Sequence, residues 1–531
     1  MRQERKVGIW SVYVLGFLVL AYVLLFTTLL SWRYQVFFAE SWEELAIINQ
    51  MFWNIIHGNG PYSSISNTFF VKHFTPILFL AAIPYFLWPH IHTVFFILSI
   101  TVALGSIPVF LLARNVFSSS AMGLYAAVLY LLLPSVHFLN LTDLRPILLS
   151  IPFLFWTFYF FYQKNFLMFL LFAVLSMMCN ERIGLNIAFF AIYAIILRRD
   201  MKWILVPFLI GAGWFFIAVF FLLPRLGQDV WVSGFYINAY VQHLGVNSAM
   251  PTVDTVVYML LHPLELFQRA FTGKMLEYMW RMSELPYFLP PYFAPASLLM
   301  AIPTYFQIMF QLDTLPTDCF HQTSQIIVFL VVAAVFGLKK IAAFLEKFGS
   351  RIIWPWVLVG LMSSIFVSNF GYNRYGRIKE PVSDTRFMSV RNVFDPIFYS
   401  PDDQDVIAWK LIRMIPPDAS VAASGDLLPQ LSERKILYEF GVDRGVFIET
   451  QSFQQQYFDV DYIFLRTTPM EHGGGGNNFD NNLSLRSAEA LEKTGCFASI
   501  AREGDFILMK RVKVDCYPDR INQEHLPSGS W

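Results

Sequence analysis

Long apolar runs recur along this chain from near its N-terminus to about residue 370, and most of them are long enough to cross a lipid bilayer. The hydrocarbon core of a membrane is about 30 Å thick, which takes about 20 apolar residues in an α-helix. Only 14% of the residues are charged, against about 25% in a soluble domain. The sequence therefore predicts a polytopic integral membrane protein. Nine spans are expected, at residues 8–31, 91–113, 121–138, 146–163, 165–180, 183–197, 203–223, 323–339 and 352–370.

Basic residues mark one side of these predicted spans. Cytoplasmic connections of membrane proteins carry an excess of Lys and Arg. With the N-terminus in the cytoplasm, the connections expected inside lie near residues 114–120, 164, 198–202 and 340–351, and each contains Lys or Arg. Nine spans then place the C-terminus on the extracytoplasmic side.

Two apolar segments do not fit a simple span. Residues 286–310 contain five prolines, and counting them as a tenth span would put Lys339 and Lys340 on the extracytoplasmic side. Proline interrupts the hydrogen bonds of a helix, so re-entrant or interfacial helices are expected in this segment. Residues 76–89 are too short to span comfortably, and a helix lying at the outer membrane surface is expected there.

The composition changes near residue 370. Residues 1–370 are predicted to form an all-α transmembrane domain with long outer loops at 32–75 and 224–322. Residues 371–531 are more polar and mix strand-like with helix-like runs, which predicts a small extracytoplasmic α/β domain. The strand-like runs are Ala419–Ala423, Tyr462–Leu465 and Phe506–Met509, and the helix-like runs are 402–414 and 484–494.

The first outer loop carries two adjacent carboxylates, Glu43 and Glu44. If this segment is helical, Glu43, Glu44, Gln50 and Asn54 share one flank and apolar residues occupy the other. One interpretation is an amphipathic helix at the membrane interface with solvated carboxylates. The other places one carboxylate at the bilayer edge as a general base or a metal ligand. Position alone leaves both open.

Further ionisable side chains crowd the outer ends of the predicted spans. Ionisable groups at membrane depth are costly and suggest a functional site, although ion pairing or snorkelling would also explain them. Lys72 and His73 fall where a lipid phosphate would lie. Two tight outer turns and the start of the span at 323 supply the other candidates, which are Asp143, Arg145, Glu181, Arg182 and His321.

Several classes of protein are disfavoured by what the chain carries. A formal net charge of zero gives no reason to expect nucleic acid as a partner. No serine or cysteine nucleophile motif, HExxH zinc motif or dinucleotide fingerprint occurs in a usable context. A transporter would be expected to hold charges at the bilayer midplane.

Cys496 and Cys516 would pair only in an oxidising compartment, and their spacing leaves this open.

A set of motifs occurs here in an order that resembles a prokaryotic family known mainly as predicted membrane proteins of unknown function. The likeness extends from about residue 8 to 510. It rests on SWEELAIINQMFWNIIHG, VKHFTPILFL, LTDLRPILL, MMCNERIGL, CFHQTSQIIVFL and IPPDASVAASGDLLPQLSERKILYEFG. That family is similar to the GT-C membrane glycosyltransferases, which include the protein mannosyltransferases and aminoarabinose transferases.

The resemblance implies a multi-span helical module in the prokaryotic cytoplasmic (inner) membrane, with an active site on its outer face. It also implies a polyprenyl-phosphate sugar as donor and sometimes a divalent metal. By position, the acidic residue of the first outer loop corresponds to Glu44, with Glu43 adjacent, and acts as base or metal ligand. The second acidic position corresponds to Asp143.

The chain departs from the GT-C pattern at several of these positions. Glu44 stands where an Asp is expected, Arg145 where a His is expected, and Ile147 where an acid is expected. Asn180-Glu181-Arg182 stands where Lys-Glu-Asp is expected. The loss of two acids and a His disfavours metal binding, and the gain of two arginines favours anion binding. No cofactor is certain, and a divalent metal remains open.

Three functional hypotheses remain. The first is a glycosyltransferase that uses a polyprenyl-phosphate sugar, and the second is a catalytically degenerate relative that scaffolds a membrane complex. A lipid-linked substrate transporter is the weakest alternative, because the ionisable residues lie at the outer ends of the spans.

The predicted topology can be tested directly. A single cysteine placed near residue 475 in a cysteine-free background should react with a membrane-impermeant thiol reagent in intact cells, because this region is expected outside. A cysteine at Lys347, in a predicted cytoplasmic connection, is the control and should react only after the cells are opened. Protection near residue 475 in intact cells would contradict an extracytoplasmic C-terminus.

Overall fold

The fold is given by a computed structural model. It describes residues 8–39, 42–65, 67–70, 73–226, 289–309, 321–349, 351–370, 396–440, 460–468 and 495–513, with 261, 262, 264, 268, 394, 488, 489 and 491–493. Lys72 and Cys516 lie outside the described residues. So do most of the outer loop predicted at 224–322 and most of the helix predicted at 484–494.

Helices dominate the part of the chain before residue 371. They are numbered over the described residues and are α1 Ile9–Gln35, α2 Trp42–Ile56, α3 Leu78–Ala81, α4 Ile91–Leu104, α5 Ser106–Phe117, α6 Ser120–Leu132, α7 Pro134–Leu141, α8 Ser150–Gln163, α9 Phe166–Met177, α10 Ile183–Ala188, α11 Phe190–Ile196, α12 Met201–Ile217, α13 Leu223–Arg225, α14 Ile302–Met309, α15 Ser324–Lys347 and α16 Trp354–Phe370. Short 3-10 turns lie at Ile83–Phe86, Pro146–Leu149, Pro290–Phe293, Pro295–Ala301 and His321–Thr323.

Within the described residues, five helical segments are long and apolar enough to cross a membrane, judged by length and composition. They are Ile9–Gln35, Ile91–Phe117, Pro146–Gln163, Met201–Arg225 and Ser324–Lys347. The bent pair Ser120–Leu132 and Pro134–Leu141 makes a sixth if it is one span. Shorter apolar helices lie at Phe166–Met177, Ile183–Ile196 and Trp354–Asn369. Every predicted span therefore coincides with helix, while the number that cross the bilayer stays a prediction.

Both segments that did not fit a simple span are broken in the structure. The described part of 286–310 forms two 3-10 turns and the short helix α14, because its prolines lack the N–H that a continuous helix needs. Residues 76–89 form the short helix α3 and a 3-10 turn rather than one continuous helix.

Clustering of contacts divides the chain into two compact units. The first is Met1–Phe26, Phe70–Leu80 and Phe96–Arg374, and the second is Thr27–Phe69, Ala81–Phe95 and Tyr375–Trp531. The second unit thus combines early segments of the chain with its C-terminal part. The domain boundary predicted at residue 370 stays a prediction.

In the first unit, a bend of 51° separates α6 from α7 at Pro134. A proline inside an apolar helix leaves backbone carbonyls unbonded, and in lipid another protein group must bond them. The Nε2 atom of His137 lies 2.7 Å from the carbonyl oxygen of Leu131. Asn369 of α16 donates its amide N–H to the carbonyl of Leu132 at 2.7 Å. Two side chains therefore satisfy the carbonyls beside the break.

Helices α10 and α12 of the first unit touch through their backbones. A Cβ atom on Gly184 would lie 2.4 Å from the carbonyl oxygen of Gly211, and one on Gly211 would lie 2.3 Å from that of Gly184. Since apolar helices in lipid gain no hydrophobic energy from each other, such close approach of small residues drives their packing.

The second unit contains a five-stranded sheet. Its strands are β3 Val421–Ala423, β4 Leu437–Glu439, β5 Tyr462–Arg466, β6 Phe497–Glu503 and β7 Phe506–Arg511, while β1 Tyr62–Ser63 and β2 Thr68–Phe69 form a separate hairpin. The order is β4-β3-β5-β7-β6. Strands β4, β3 and β5 are parallel, and β7 pairs antiparallel with both β5 and β6. The three strand-like runs of the sequence coincide with β3, β5 and β7.

Helices α17 Asp403–Ile412 and α18 Leu428–Leu431 complete the described C-terminal part of the second unit. Apolar side chains of the strands form its core, including Ile463, Leu465 and Met509. Cys496 is disulfide-bonded, whereas Cys179 of the first unit is a buried free thiol.

The break at Pro134 makes a specific residue important for stability. Asn369→Ala should lower the free energy of unfolding by about 1–3 kcal/mol, because it leaves a buried carbonyl without its partner. Ser368→Ala is the matched control, since that hydroxyl bonds only within its own helix, to Ile365. The measurement is thermal unfolding of the purified protein in detergent. Equal unfolding temperatures for the two variants would contradict this role of Asn369.

Candidate functional site

A tight turn between α9 and α10 presents Glu181 and Arg182 in the first unit. The side chain of Asn180 accepts a hydrogen bond from the backbone N–H of Arg182 at 3.0 Å, a local bond that favours a turn over continued helix. Both Glu181 and Arg182 are buried. The turn is determined locally, because Asn commonly bonds its own backbone two residues on.

The Glu181 carboxylate is held by a segment that precedes α3. Its Oε1 atom lies 2.8 Å from Nδ1 of His73, and its Oε2 atom accepts the backbone N–H of Phe74 at 3.2 Å. The Nε atom of Arg182 lies 3.8 Å from Oε1. Burial raises the pKa of Glu181, but His73 and Arg182 outweigh it, so the pKa lies below its usual value. Glu181 is therefore ionised at neutral pH.

Arg145 and His321 meet in the same unit. Nη1 of Arg145 lies 3.2 Å from Nε2 of His321, and both side chains are buried. Burial lowers the pKa of His321 well below its usual value, with further lowering by the charges of Arg145, Arg182 and His73. The imidazole is therefore neutral. A guanidinium only donates, so Nε2 accepts and the ring proton is on Nδ1.

These contacts form two groups, His73 with Glu181 and Arg182, and Arg145 with His321. The charges of Arg182 and His73 also lower the pKa of His321. We refer to His73, Arg145, Glu181, Arg182 and His321 as the Arg–His cluster. It holds two guanidiniums, two imidazoles and a carboxylate from separate stretches of chain, all buried except the imidazole of His73, which is 26% exposed.

Asp143 lies two residues before Arg145 and is buried. Its backbone adopts the left-handed conformation, with φ of 63°. Residues other than glycine rarely adopt this conformation, although Asp tolerates it better than most, and such strain often occurs at functional sites. The role of Asp143 stays a prediction.

Glu43 and Glu44 lie in the second unit, in the first turn of α2. Carboxylates are favoured there by the positive end of the helix dipole. The flank of α2 that bears Gln50 and Asn54 is buried rather than solvated. The amide of Gln50 donates to the carbonyl of Arg434 at 3.0 Å, and that of Asn54 donates to the carbonyl of Tyr62 at 2.7 Å. Helix α2 therefore belongs to the packed interior of this unit.

A buried ion pair that the sequence analysis missed also lies in the second unit. Nε of Arg466 is 2.8 Å from Oδ2 of Asp426, and both side chains are buried. Asp426 follows the end of β3 and Arg466 ends β5. The signal in the sequence was Ser424-Gly425-Asp426 directly after an apolar strand, but nothing local paired it with an arginine 40 residues later.

The residues of the Arg–His cluster do not fit a divalent metal. Ca²⁺ and Mg²⁺ take oxygen ligands, mostly carboxylates, whereas this cluster has one carboxylate beside two guanidiniums, whose positive charge opposes any cation. In the part of the chain that the structure describes, no group of three or more His, Cys, Asp and Glu could hold a metal ion. No step through a metal is derived for this site.

Apolar helices of spanning length, with ionisable side chains near their ends, indicate an integral membrane protein, and a small sheet lies in its C-terminal part. The fold is similar to that of ArnT from Cupriavidus metallidurans, in a crystal structure bound to undecaprenyl phosphate. The TM-score is 0.51 at 12% sequence identity, over 94% of this chain and 98% of that one. Identity this low supports the fold alone.

The family described as "Predicted membrane protein (DUF2079)" matches residues 33–492, and the chain belongs to this family. No curated protein matches the chain. The family resemblance expected from the motifs is confirmed, and so is the likeness to GT-C proteins.

The pKa shifts predict that acid destabilises the first unit. Folding lowers the pKa of His321. The contribution of His321 to stability is therefore present above about pH 6.5, the pKa of a free imidazole, and is lost as the pH falls below 6.5. Folding also lowers the pKa of Glu181, whose contribution is present above about pH 4.3, the value of a free carboxyl, and is lost as the pH falls further.

Thermal unfolding followed between pH 7.5 and 5.5 measures the His321 contribution. We expect the Tm to fall by several degrees in the wild type and less in His321→Gln, which cannot titrate. His57→Gln, at an exposed histidine, is the control and should follow the wild type. A wild-type Tm that stays constant across this range would show that His321 is not a buried neutral imidazole.

Proposed function

We propose that this protein transfers a sugar from a polyprenyl-phosphate donor to an acceptor hydroxyl at the extracytoplasmic face of the membrane. The observation that carries the proposal is the Arg–His cluster, which places two buried guanidiniums at the ends of apolar helices. The likeness of the fold to ArnT supports it, because that protein was crystallised with a polyprenyl phosphate.

The chemistry of the cluster suits a phosphate. Guanidiniums form strong charge-assisted and often bidentate hydrogen bonds with phosphate oxygens. The charges of Arg145 and Arg182 both lower the pKa of His321. The neutral His321 adds no positive charge but keeps its Nδ1–H as a donor. Glu181 and His73 serve to hold Arg182 and the chain before α3 in place.

The proposed reaction is a displacement at the anomeric carbon. The acceptor oxygen forms a bond to this carbon as the bond from the carbon to the phosphate oxygen breaks. The leaving polyprenyl phosphate keeps the electron pair, and Arg145 and Arg182 stabilise the charge that develops on it. The proton of the acceptor hydroxyl passes to a carboxylate acting as general base.

We assign the base to Glu44, with Glu43 as its neighbour, on the resemblance to GT-C enzymes. Asp143, the second acidic position of the resemblance, would orient the acceptor. Lys72 would contact the lipid phosphate, because its place in the sequence is expected at the outer membrane interface. An inverted anomeric centre is expected, because the proposed displacement has a single step.

A catalytically degenerate membrane subunit is the alternative function. The departures at Arg145, Ile147 and Arg182 favour it, as does the absence of a metal-binding group within the described part of the chain. A scaffold protein should copurify with a stable, stoichiometric set of membrane partners and should turn over no lipid-linked sugar.

Binding of undecaprenyl phosphate to the protein in nanodiscs tests the cluster. Arg145→Ala should weaken binding about 10-fold to 100-fold, which corresponds to the loss of about 1.5–3 kcal/mol for a hydrogen bond to a charged group. Arg198→Ala, at an exposed arginine, is the matched control and should bind normally. Thermal unfolding checks that Arg145→Ala is folded. A folded Arg145→Ala with unchanged affinity would remove the phosphate site from this cluster.

The same preparation tests the base through turnover. Glu44→Gln should leave the affinity for undecaprenyl phosphate unchanged and slow release of the sugar from its lipid carrier by about 100-fold or more, the usual contribution of a general base. Glu346→Gln, at an exposed glutamate, is the control. Wild-type protein without turnover, together with copurified partners, would support the scaffold alternative.

A further inference from the structure

The sheet of the second unit has a topological switch point. Strand β3 lies between its two parallel neighbours, β4 on one side and β5 on the other. The chain leaves β3 for β4 and then returns to the opposite side as β5. In open α/β sheets, ligands bind at such a point, in the crevice outside the carboxyl ends of the strands. Here this carboxyl edge is formed by Ser424–Asp426 after β3 and by Arg466–Thr468 at the end of β5.

The ion pair of Asp426 with Arg466 lies at this edge. A hydrogen bond joins the two strand ends, because the side-chain hydroxyl of Ser424 accepts the backbone N–H of Arg466 at 2.9 Å. The guanidinium of Arg466 stacks over the ring of Phe506, 4.8 Å from its centre. Asp426 is 4% exposed and Arg466 is 5% exposed, so the pair is almost wholly removed from solvent.

Part of the hydrogen-bonding capacity of this edge is unused within the described residues. Nη2 of Arg466, Oδ1 of Asp426 and Oγ1 of Thr468 are buried and have no hydrogen-bond partner there. Leaving buried polar atoms unbonded costs about 1–3 kcal/mol each, and native proteins rarely do so without a reason. Arg466 thus has an unbonded donor at this edge, and Asp426 has an unbonded acceptor.

Other side chains of the same unit surround the pair. Gly425 leaves room for an indole, since a Cβ on it would lie 2.2 Å from Nε1 of Trp42 and 2.8 Å from Oε1 of Glu439. Asp405, in the first turn of α17, also feels the charge of Arg466. Burial raises the pKa of Asp405 to about 6 despite that charge.

We propose that this carboxyl edge binds an uncharged polyhydroxylated ligand, a saccharide. Asp426 and Arg466 together are neutral, so an anionic ligand would have to displace Asp426 and leave it buried and unpaired. A hydroxyl group, in contrast, both donates and accepts. Neighbouring hydroxyls on a sugar ring can donate to Oδ1 of Asp426 and accept from Nη2 of Arg466 without opening the pair.

The indole of Trp42 supplies the remaining element, an amphipathic aromatic surface beside the polar groups. Trp42 also begins α2, the helix whose first turn carries Glu43 and Glu44. The saccharide would be the acceptor of the transfer reaction, an identification that rests on the proposed function. Its binding to the second unit does not rest on that reaction.

Saturation-transfer NMR on the full-length protein in nanodiscs tests the site. The probes are methyl α-mannopyranoside, methyl β-glucopyranoside and N,N′-diacetylchitobiose, and inorganic phosphate is added as the anionic competitor of the saccharide signal. At least one saccharide should bind, and the double variant Asp426→Asn with Arg466→Gln should weaken that binding 10-fold or more. Changing both residues avoids a buried unpaired charge. Lys410→Gln with Glu503→Gln removes an exposed ion pair of the same unit and should bind normally.

Thr468→Val is a second variant that retains the side-chain shape and removes the unbonded hydroxyl. It should weaken saccharide binding several-fold even if the double variant does not fold. The proposal is overturned if no saccharide binds, if binding ignores these variants, or if inorganic phosphate binds in their place. Arg145→Ala should leave saccharide binding unchanged, so failure of the transferase proposal and failure of this one are separate results.

Discussion

The contact between His73 and Glu181 is the interaction on which the candidate site depends. Burial alone would raise the pKa of this carboxyl, but the interactions with His73 and Arg182 hold it below its usual value. The pairing fastens the segment before α3 to the turn between α9 and α10, two stretches that are 108 residues apart. With Glu181 ionised and held in place, Arg182 is held as well. The charge of Arg182, which lowers the pKa of His321, is therefore held in a fixed position.

The arrangement around His321 shows how a membrane protein can keep several basic groups in one buried volume. Two guanidiniums cannot lose their protons in a protein. The imidazole beside them therefore gives up its own charge and accepts a hydrogen bond from Arg145. A neutral acceptor beside a permanent cation reduces the repulsion within the cluster. It also leaves the arginines as the groups to which an anion would be drawn.

The sequence predicted the helices well and the contacts poorly, for physical reasons. Every predicted span coincides with helix, because apolar runs of this length have few other stable forms in lipid. The irregularity of 286–310 followed from its prolines. The environment of helix α2 was harder to predict, because its polar flank fits both an interfacial helix and a buried one. The partners of that flank lie far along the chain.

The candidate site divides in the same way. Positions at the ends of apolar runs were enough to choose His73, Arg145, Glu181, Arg182 and His321, and the structure places them in two contacting groups. Their individual roles remain proposals. Asp426 and Arg466 could not be chosen, because a single sequence does not reveal that two strand ends are neighbours in a sheet.

The long-range bonds of α2 have a consequence for how the protein is made. Asn49 donates to Ser432 at a separation of 383 residues, and Gln50 bonds the chain near Arg434. Helix α2 therefore leaves the ribosome long before its partners exist, since synthesis proceeds at about 5–20 residues per second. Until then its amides must be bonded by water or by another protein. A C-terminal fragment expressed alone would lack this helix, so the second unit cannot be obtained by simple truncation.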